Sequence, residues 1–187
     1  MVSMGWSDSL ARHQEIVAAS EGLGPVIDRA VRMIRSCFDR GSRLYACGNG
    51  GSHAHAVHLV AELVVRYRIS RPAYPALALG CNASSVTATC NDFSAVTVFE
   101  RELEAFGRYG DVLVAISTSG TSANVLRAIE CARGKGLVTI GLTGQHGMAA
   151  PVACEIRVPS TDTPRIQELH MLIIHALCES LDAQETT

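Results

Sequence analysis

Between Arg43 and Val158 the chain repeats one pattern: a short apolar run, a turn, a helical stretch, then another apolar run. Nothing else in the sequence narrows the choice of fold as much. The runs are Arg43–Cys47, Pro75–Leu79, Val112–Ile116, Leu137–Leu142 and Glu155–Val158, each bounded by turn residues. Apolar runs this short, set between turns, read as strands buried on both faces. Helical periodicity fills the gaps at about 52–68, 84–104 (with a break near Asn91) and 122–135, with a short helix near Met148 and a last one at 164–182. Strands alternating with helices make right-handed βαβ units, which build a parallel sheet covered on both faces. Two helices are expected ahead of the sheet. Asp8 caps one through Leu10, Ile16 and Val17; after the Gly22–Pro25 break, Val26, Ile27, Ala30, Val31, Ile34 and Phe38 follow a second helical period. The expected architecture is a single α/β domain, with a doubly wound five-stranded parallel sheet over 42–187 and an N-terminal helical arm over 1–41.

Composition removes several function classes. A length of 187 residues suits one domain. Apolar residues make up 48% and charged residues only 18%, which is too hydrophobic for a disordered chain. The net charge of −2 lacks the basic excess that a nucleic-acid binder needs. No run approaches the roughly 18 uninterrupted apolar residues of a membrane span, and the N-terminus is too polar for a signal peptide. A cytoplasmic protein without nucleic-acid or membrane partners is expected. The cysteines (Cys37, Cys47, Cys81, Cys90, Cys131, Cys154 and Cys178) are odd in number, contain no C-x-x-C pair, and mostly lie among Ala, Val and Leu. They read as free structural thiols in a reducing compartment.

In doubly wound sheets, ligands bind beyond the carboxyl ends of the strands, where the strand order reverses. The loops after the first and third strands are therefore the places to look. After the first comes Cys47-Gly48-Asn49-Gly50-Gly51-Ser52, leading straight into a helix. Glycines there let backbone N–H groups approach an anion at a helix N-terminus. The loop lacks the lysine of a nucleotide P-loop, and His53 stands where a dinucleotide fingerprint needs its last glycine. After the third strand comes Ser117-Thr118-Ser119-Gly120-Thr121-Ser122, five hydroxyls in six residues, again opening a helix. A helix cap needs only one hydroxyl. Two such loops at one switch point suit a phosphate monoester on a small molecule.

These residues resemble the SIS (sugar isomerase) domain: strand–GNGGS–helix followed by strand–ISTSGTS–helix. Within it, Asn91-Asp92-Phe93, Gly110-Asp111-Val112-Leu113, Arg157-Val158-Pro159-Ser160 and Arg165-Ile166-Gln167-Glu168-Leu169-His170 are similar to the phosphoheptose isomerase branch, over nearly the whole chain. The resemblance implies a flavodoxin-like sheet and an aldose–ketose isomerase. Its substrate is sedoheptulose 7-phosphate and its product D-glycero-D-manno-heptose 7-phosphate or a stereoisomer, reached through an enediol. Asn49, Gly50, Gly51, Ser52, Asn91, Asp92, Ser117, Thr118, Ser119, Ser122 and Gln167 match positions that contact substrate. Two other readings compete: a non-catalytic SIS protein of the DnaA initiator-associating type, and an isomerase for another phosphosugar. The first type loses the residues matching Glu62 and His175, and both are present here.

His58 and Glu62 lie four apart on the helix after the first loop and so share a face that can chelate a divalent cation. Gln167 and His175 lie eight apart, about 12 Å of rise and about 80° of rotation on a helix. From spacing alone, these two meet one ion only with extended side chains or with another protomer completing the site. The resemblance nominates all four as ligands of one zinc ion per protomer, with Glu62 and His175 as base and acid. It also implies a homotetramer with active sites at subunit interfaces, in line with the low charge and the long Gln167–His175 spacing. Arg66 reads equally as an added positive charge or a surface residue. Four features depart from the family pattern: His55 where an Asp is common, Ser94 for a glycine, Thr121 for an Asn, and a Gly144–Met148 turn without its acidic residue. His53 and His55 read as helix-start residues. The departures bear on substrate identity and product stereochemistry more than on isomerase chemistry.

Overall fold

Five parallel strands form the centre of the computed structural model, which describes residues 5–183. In chain order the elements are α1 (Trp6–Ala19), α2 (Gly24–Asp39), β1 (Leu44–Gly48), α3 (Gly51–Val64), β2 (Ala76–Ala78), α4 (Ala83–Asp92), α5 (Val98–Phe106), β3 (Val112–Ser117), α6 (Ala123–Gly134), β4 (Val138–Thr143), β5 (Cys154–Arg157) and α7 (Thr163–Ala183). The strands pair in the order β2-β1-β3-β4-β5. This is the doubly wound sheet expected from the sequence, with each strand within a residue or two of its apolar run.

Alternation along each strand sorts the core into two layers. Leu44, Ala46, Val112, Val114, Ile116, Ile140 and Leu142 face a layer completed by α2, α3 and α7, through Ile34, Leu59, Ile173 and Leu177 among others. Tyr45, Cys47, Leu113 and Ala115 face the opposite layer, built from α5 and α6 through Phe99, Leu103, Val125 and Ile129. All seven cysteines are free, and four of them (Cys37, Cys47, Cys154 and Cys178) are buried. Burial pushes the thiols of Cys47 and Cys178 up to about 12, so they remain protonated and pack as small hydrophobes. No helix among the described residues is long and apolar enough to cross a membrane.

Two local expectations are corrected, and a third is met. There is no helix near Met148: Gly147 N–H bonds to Gly144 O (3.1 Å), Ala149 N–H to Gly120 O (2.9 Å), and Met148 N–H to the Glu155 carboxylate. These groups close a turn, which leaves none for a helical ladder. The break expected near Asn91 in the 84–104 stretch is present: α4 ends at Asp92, and Ser94 accepts from Val96 N–H (3.2 Å) and starts a separate short turn at Ala95–Thr97 before α5. Asp8 sits inside the first turn of α1, where it accepts from the N–H of the cap residue Gly5 (3.2 Å).

Candidate active site

β1 ends at Gly48 and β3 at Ser117, and their register pairs Gly48 with Ile116, so the two loops leave the sheet side by side. The strand order reverses between them. Gly48 is dictated by this closeness: a Cβ would stand 2.8 Å from the Ser52 backbone and 2.9 Å from Ile116 O. Gly120 has φ +71°, and a Cβ on it would overlap the Gly147 carbonyl oxygen. The turn after β4 therefore braces the loop after β3.

The hydroxyls of that loop converge. Buried Ser117 Oγ accepts from Gly120 N–H (3.1 Å) and lies 3.1 Å from Ser122 Oγ and 3.5 Å from Ser119 Oγ. Thr121 donates its hydroxyl to Ser119 Oγ at 3.1 Å. With the N-terminus of α6 behind them, these neutral donors can hold an anion without a lysine. The two loops are tied by a reciprocal amide pair, Asn49 Nδ2 to Asn124 Oδ1 (2.8 Å) and Asn124 Nδ2 to Asn49 Oδ1 (2.9 Å). Sequence reasoning missed Asn124, because an Asn in a first helical turn carries no distinctive signal. Asn49, Gly50, His53 and Asn124 line a cavity of about 310 Å³ together with Val86 and Phe99. Thr118, in the same loop, is half-buried. Asn91 and Asp92, at the end of α4, are exposed and bond to each other (2.7 Å).

α3 and α7 run side by side in the same direction. At their starts Gln167 packs on Gly51, where a Cβ would stand 2.5 Å from Gln167 Nε2. Two turns on, His58 Nε2 lies 3.0 Å from His175 Nε2 and 3.4 Å from Glu62 Oε1. The His175 ring also stacks on Tyr67, with centroids 5.6 Å apart. One chain thus brings together three of the four nominated ligands, while Gln167 sits at the loop end beside Gly51. Imidazole nitrogens and a carboxylate oxygen are donor types that zinc takes. Among the described residues, no group of three or more His, Cys, Asp or Glu side chains is arranged to hold a metal ion within this one chain. Glu62 is half-buried and Arg66 is exposed.

Between the two ends lie two further histidines. His170 is fully buried, with Nε2 donating to Thr143 O (3.2 Å). Burial lowers its pKa to about 4. His55 approaches it edge-on, centroids 6.4 Å apart, and burial lowers its pKa too. The Nδ1 atoms of both rings are buried without a protein partner. His53 stands at the start of α3 as expected, whereas His55 turns inward.

Comparison with known proteins agrees with this geometry. The family profile described as "SIS domain" matches residues 6–144. A phosphoheptose isomerase of Shewanella pealeana is 46% identical over 174 residues, 90% of this chain and 88% of that protein. Among solved structures, a phosphoheptose isomerase of Neisseria gonorrhoeae superposes with a TM-score of 0.89 at 37% identity, covering 95% of this chain and 96% of that one. One from Francisella tularensis superposes with a TM-score of 0.84 at 33% identity, covering 94% and 98%. The chain belongs to the SIS-domain family and, within it, to the phosphoheptose isomerases.

Proposed function

We propose that this protein is an aldose–ketose isomerase that converts sedoheptulose 7-phosphate to D-glycero-D-manno-heptose 7-phosphate, or a stereoisomer, through an enediol. The observation that carries the proposal is the placement of two unlike polar groups at the start of α3 and two turns along it. The anion cradle lies where the Asn49–Ser52 loop opening α3 adjoins the hydroxyl loop opening α6, and the His58–Glu62–His175 cluster sits two turns further along α3. From Ser52 to His58 the helix rises about 9 Å. That suits an open-chain sugar phosphate held by its phosphate, far from its reacting carbons.

Ser117, Thr118, Ser119 and Ser122 hold the phosphate, with Ser52 and the backbone at Asn49, Gly50 and Gly51 closing the cradle. Asn91, Asp92 and Gln167 contact the sugar. The Glu62 carboxylate takes the proton from carbon, and the His175 imidazole moves protons at the oxygens. His58, Glu62 and His175 would hold one zinc ion per protomer, with Gln167 completing the set only through extended side chains or from another protomer, and the ion would supply positive charge beside the enediol oxygens.

The protein acts as a homotetramer in the cytoplasm, with active sites at subunit interfaces. The surface supports this arrangement: Trp6, Leu10 and Val17 of α1, Val57 and Val64 of α3, and Leu172 of α7 are exposed apolar side chains. No residue of α4, which carries Asn91 and Asp92, is buried within the chain. The non-catalytic alternative is not favoured, since Glu62 and His175 meet a common partner, His58.

Turnover of sedoheptulose 7-phosphate tests the proposal. Aldose should appear with the purified protein, stop on chelation and resume with zinc. Native mass spectrometry should give four chains and four zinc ions, and the metal should be lost in the His58→Ala/His175→Ala protein. Absence of turnover in zinc-loaded tetramer would contradict the reading.

A further inference from the structure

Beyond the catalytic cluster, at the far ends of α3 and α7, lies a second constellation with no assigned task. Arg71 and Asp182 form a buried ion pair, with Nε to Oδ1 at 3.0 Å and side-chain exposures of 1% and 5%. Burying two charges costs about as much as their attraction returns, so stability alone is a poor reason for the pair. The geometry offers a better one.

Arg71 also donates to three backbone carbonyls: Nη2 to Glu62 O (2.9 Å), and Nη1 to Leu63 O (2.9 Å) and Pro72 O (3.1 Å). It therefore caps the C-terminus of α3 at the very residue that supplies the cluster's carboxylate. Its guanidinium lies over the Tyr74 ring, 4.0 Å from the centroid. Asp182, in the last turn of α7, accepts from Arg68 N–H (2.8 Å) and Ile69 N–H (3.2 Å). Burial alone would raise its pKa, but these two N–H groups and Arg71 outweigh that and hold the carboxylate below its ordinary value. The chain leaving α3 is thereby folded back onto α7, and this segment presents the Tyr67 ring to His175. A planar, forked donor is needed for all these bonds at once, and a lysine cannot supply it.

We propose that Arg71 and Asp182 are positioning residues: they lock the register of α3 against α7 and so set the spacing of His58, Glu62 and His175. The inference rests on the cluster being the metal and proton-transfer site proposed above. Its reach does not extend to the loop end, which is fixed separately by Gly51 and Gln167.

Three variants test it: Arg71→Lys, Asp182→Asn, and the double change Arg71→Met/Asp182→Leu, which removes both charges and leaves neither unpaired. Each is compared with the wild type as purified tetramer, well below its melting temperature. Zinc affinity, read by competition with a chelating indicator, should fall about 10- to 100-fold. The kcat should fall in step, while the KM for the phosphosugar stays within about threefold. In metal-free protein, the ring nitrogen resonances of His58 and His175 should move and those of exposed His146 should stay. A purely structural role would lower the melting temperature of the single variants and leave these readouts unchanged. Wild-type ring resonances in a folded double variant overturn the proposal. A wild type that takes up no zinc would instead contradict the metal reading, and the ring resonances would still decide the positioning role.

Discussion

Where the adjoining starts of α3 and α6 meet, the polar groups are backbone amides and neutral hydroxyls, shaped by glycines; two turns along α3, against α7, they are two imidazoles and a carboxylate. The first region is built almost entirely within two short loops. The second is assembled from helices more than a hundred residues apart, with His58 and His175 separated by 117 positions. Groups that only hold an anion can be packed locally. Titratable groups that must face one another need the register of a whole helix pair, and the structure pins that register at both ends.

If the two regions divide binding from chemistry, substitutions should split along the same line. The largest effect is expected at Glu62. Glu62→Gln keeps size and most hydrogen bonding but removes the base, so kcat should fall about 10²- to 10⁴-fold. Phosphosugar affinity, read by calorimetry on the variant, should stay close to wild type. A variant within threefold of normal turnover would show that Glu62 is not the base.

Next in size is a pH effect from His170, which lies between the two regions. Its folded-state pKa of about 4 lies below the ordinary value of 6.5, so between these values the unfolded chain binds the extra proton. Stability should be full above about pH 6.5 and decline as pH falls towards 4, by on the order of 3 kcal/mol. His170→Gln keeps a donor for Thr143 O and should remove that part of the slope, measured as urea midpoints at pH 7.5 and 4.5. Equal slopes in the two proteins would place the pH sensitivity elsewhere.

The smallest effect is expected at the hydroxyl loop. Ser119→Ala removes one exposed donor among several, so KM should rise roughly tenfold, as for one hydrogen bond to a charged group, with kcat within threefold. A kcat loss without a KM change would break the division of labour.

The legibility of the sequence follows the same contrast. Strands and both loops could be read because their signals are local: apolar runs between turns, and glycines and hydroxyls at fixed places after them. His58 and Glu62 were legible as a pair because they sit one turn apart. His175 was not, because its partner is on another helix and its spacing from Gln167 suggested no meeting. The structure resolves that difficulty by giving Gln167 and His175 different neighbours, Gly51 and His58. Arg71 and Asp182 gave no signal, being 111 positions apart and unremarkable in their own segments. The turn at Met148 was misread because a carboxylate from β5 and a carbonyl from the hydroxyl loop claim its backbone groups.

The central claim is proton transfer at the carbons next to the carbonyl by a cluster held apart from the phosphate. It is tested most directly by NMR of sedoheptulose 7-phosphate incubated with the zinc-loaded protein in D₂O. The account predicts growth of aldoheptose 7-phosphate signals, with solvent deuterium entering at the carbon that gains the proton; both should be lost in Glu62→Gln. A ketose spectrum unchanged over many hours, with no aldose and no deuterium at C1 or C2, would contradict it.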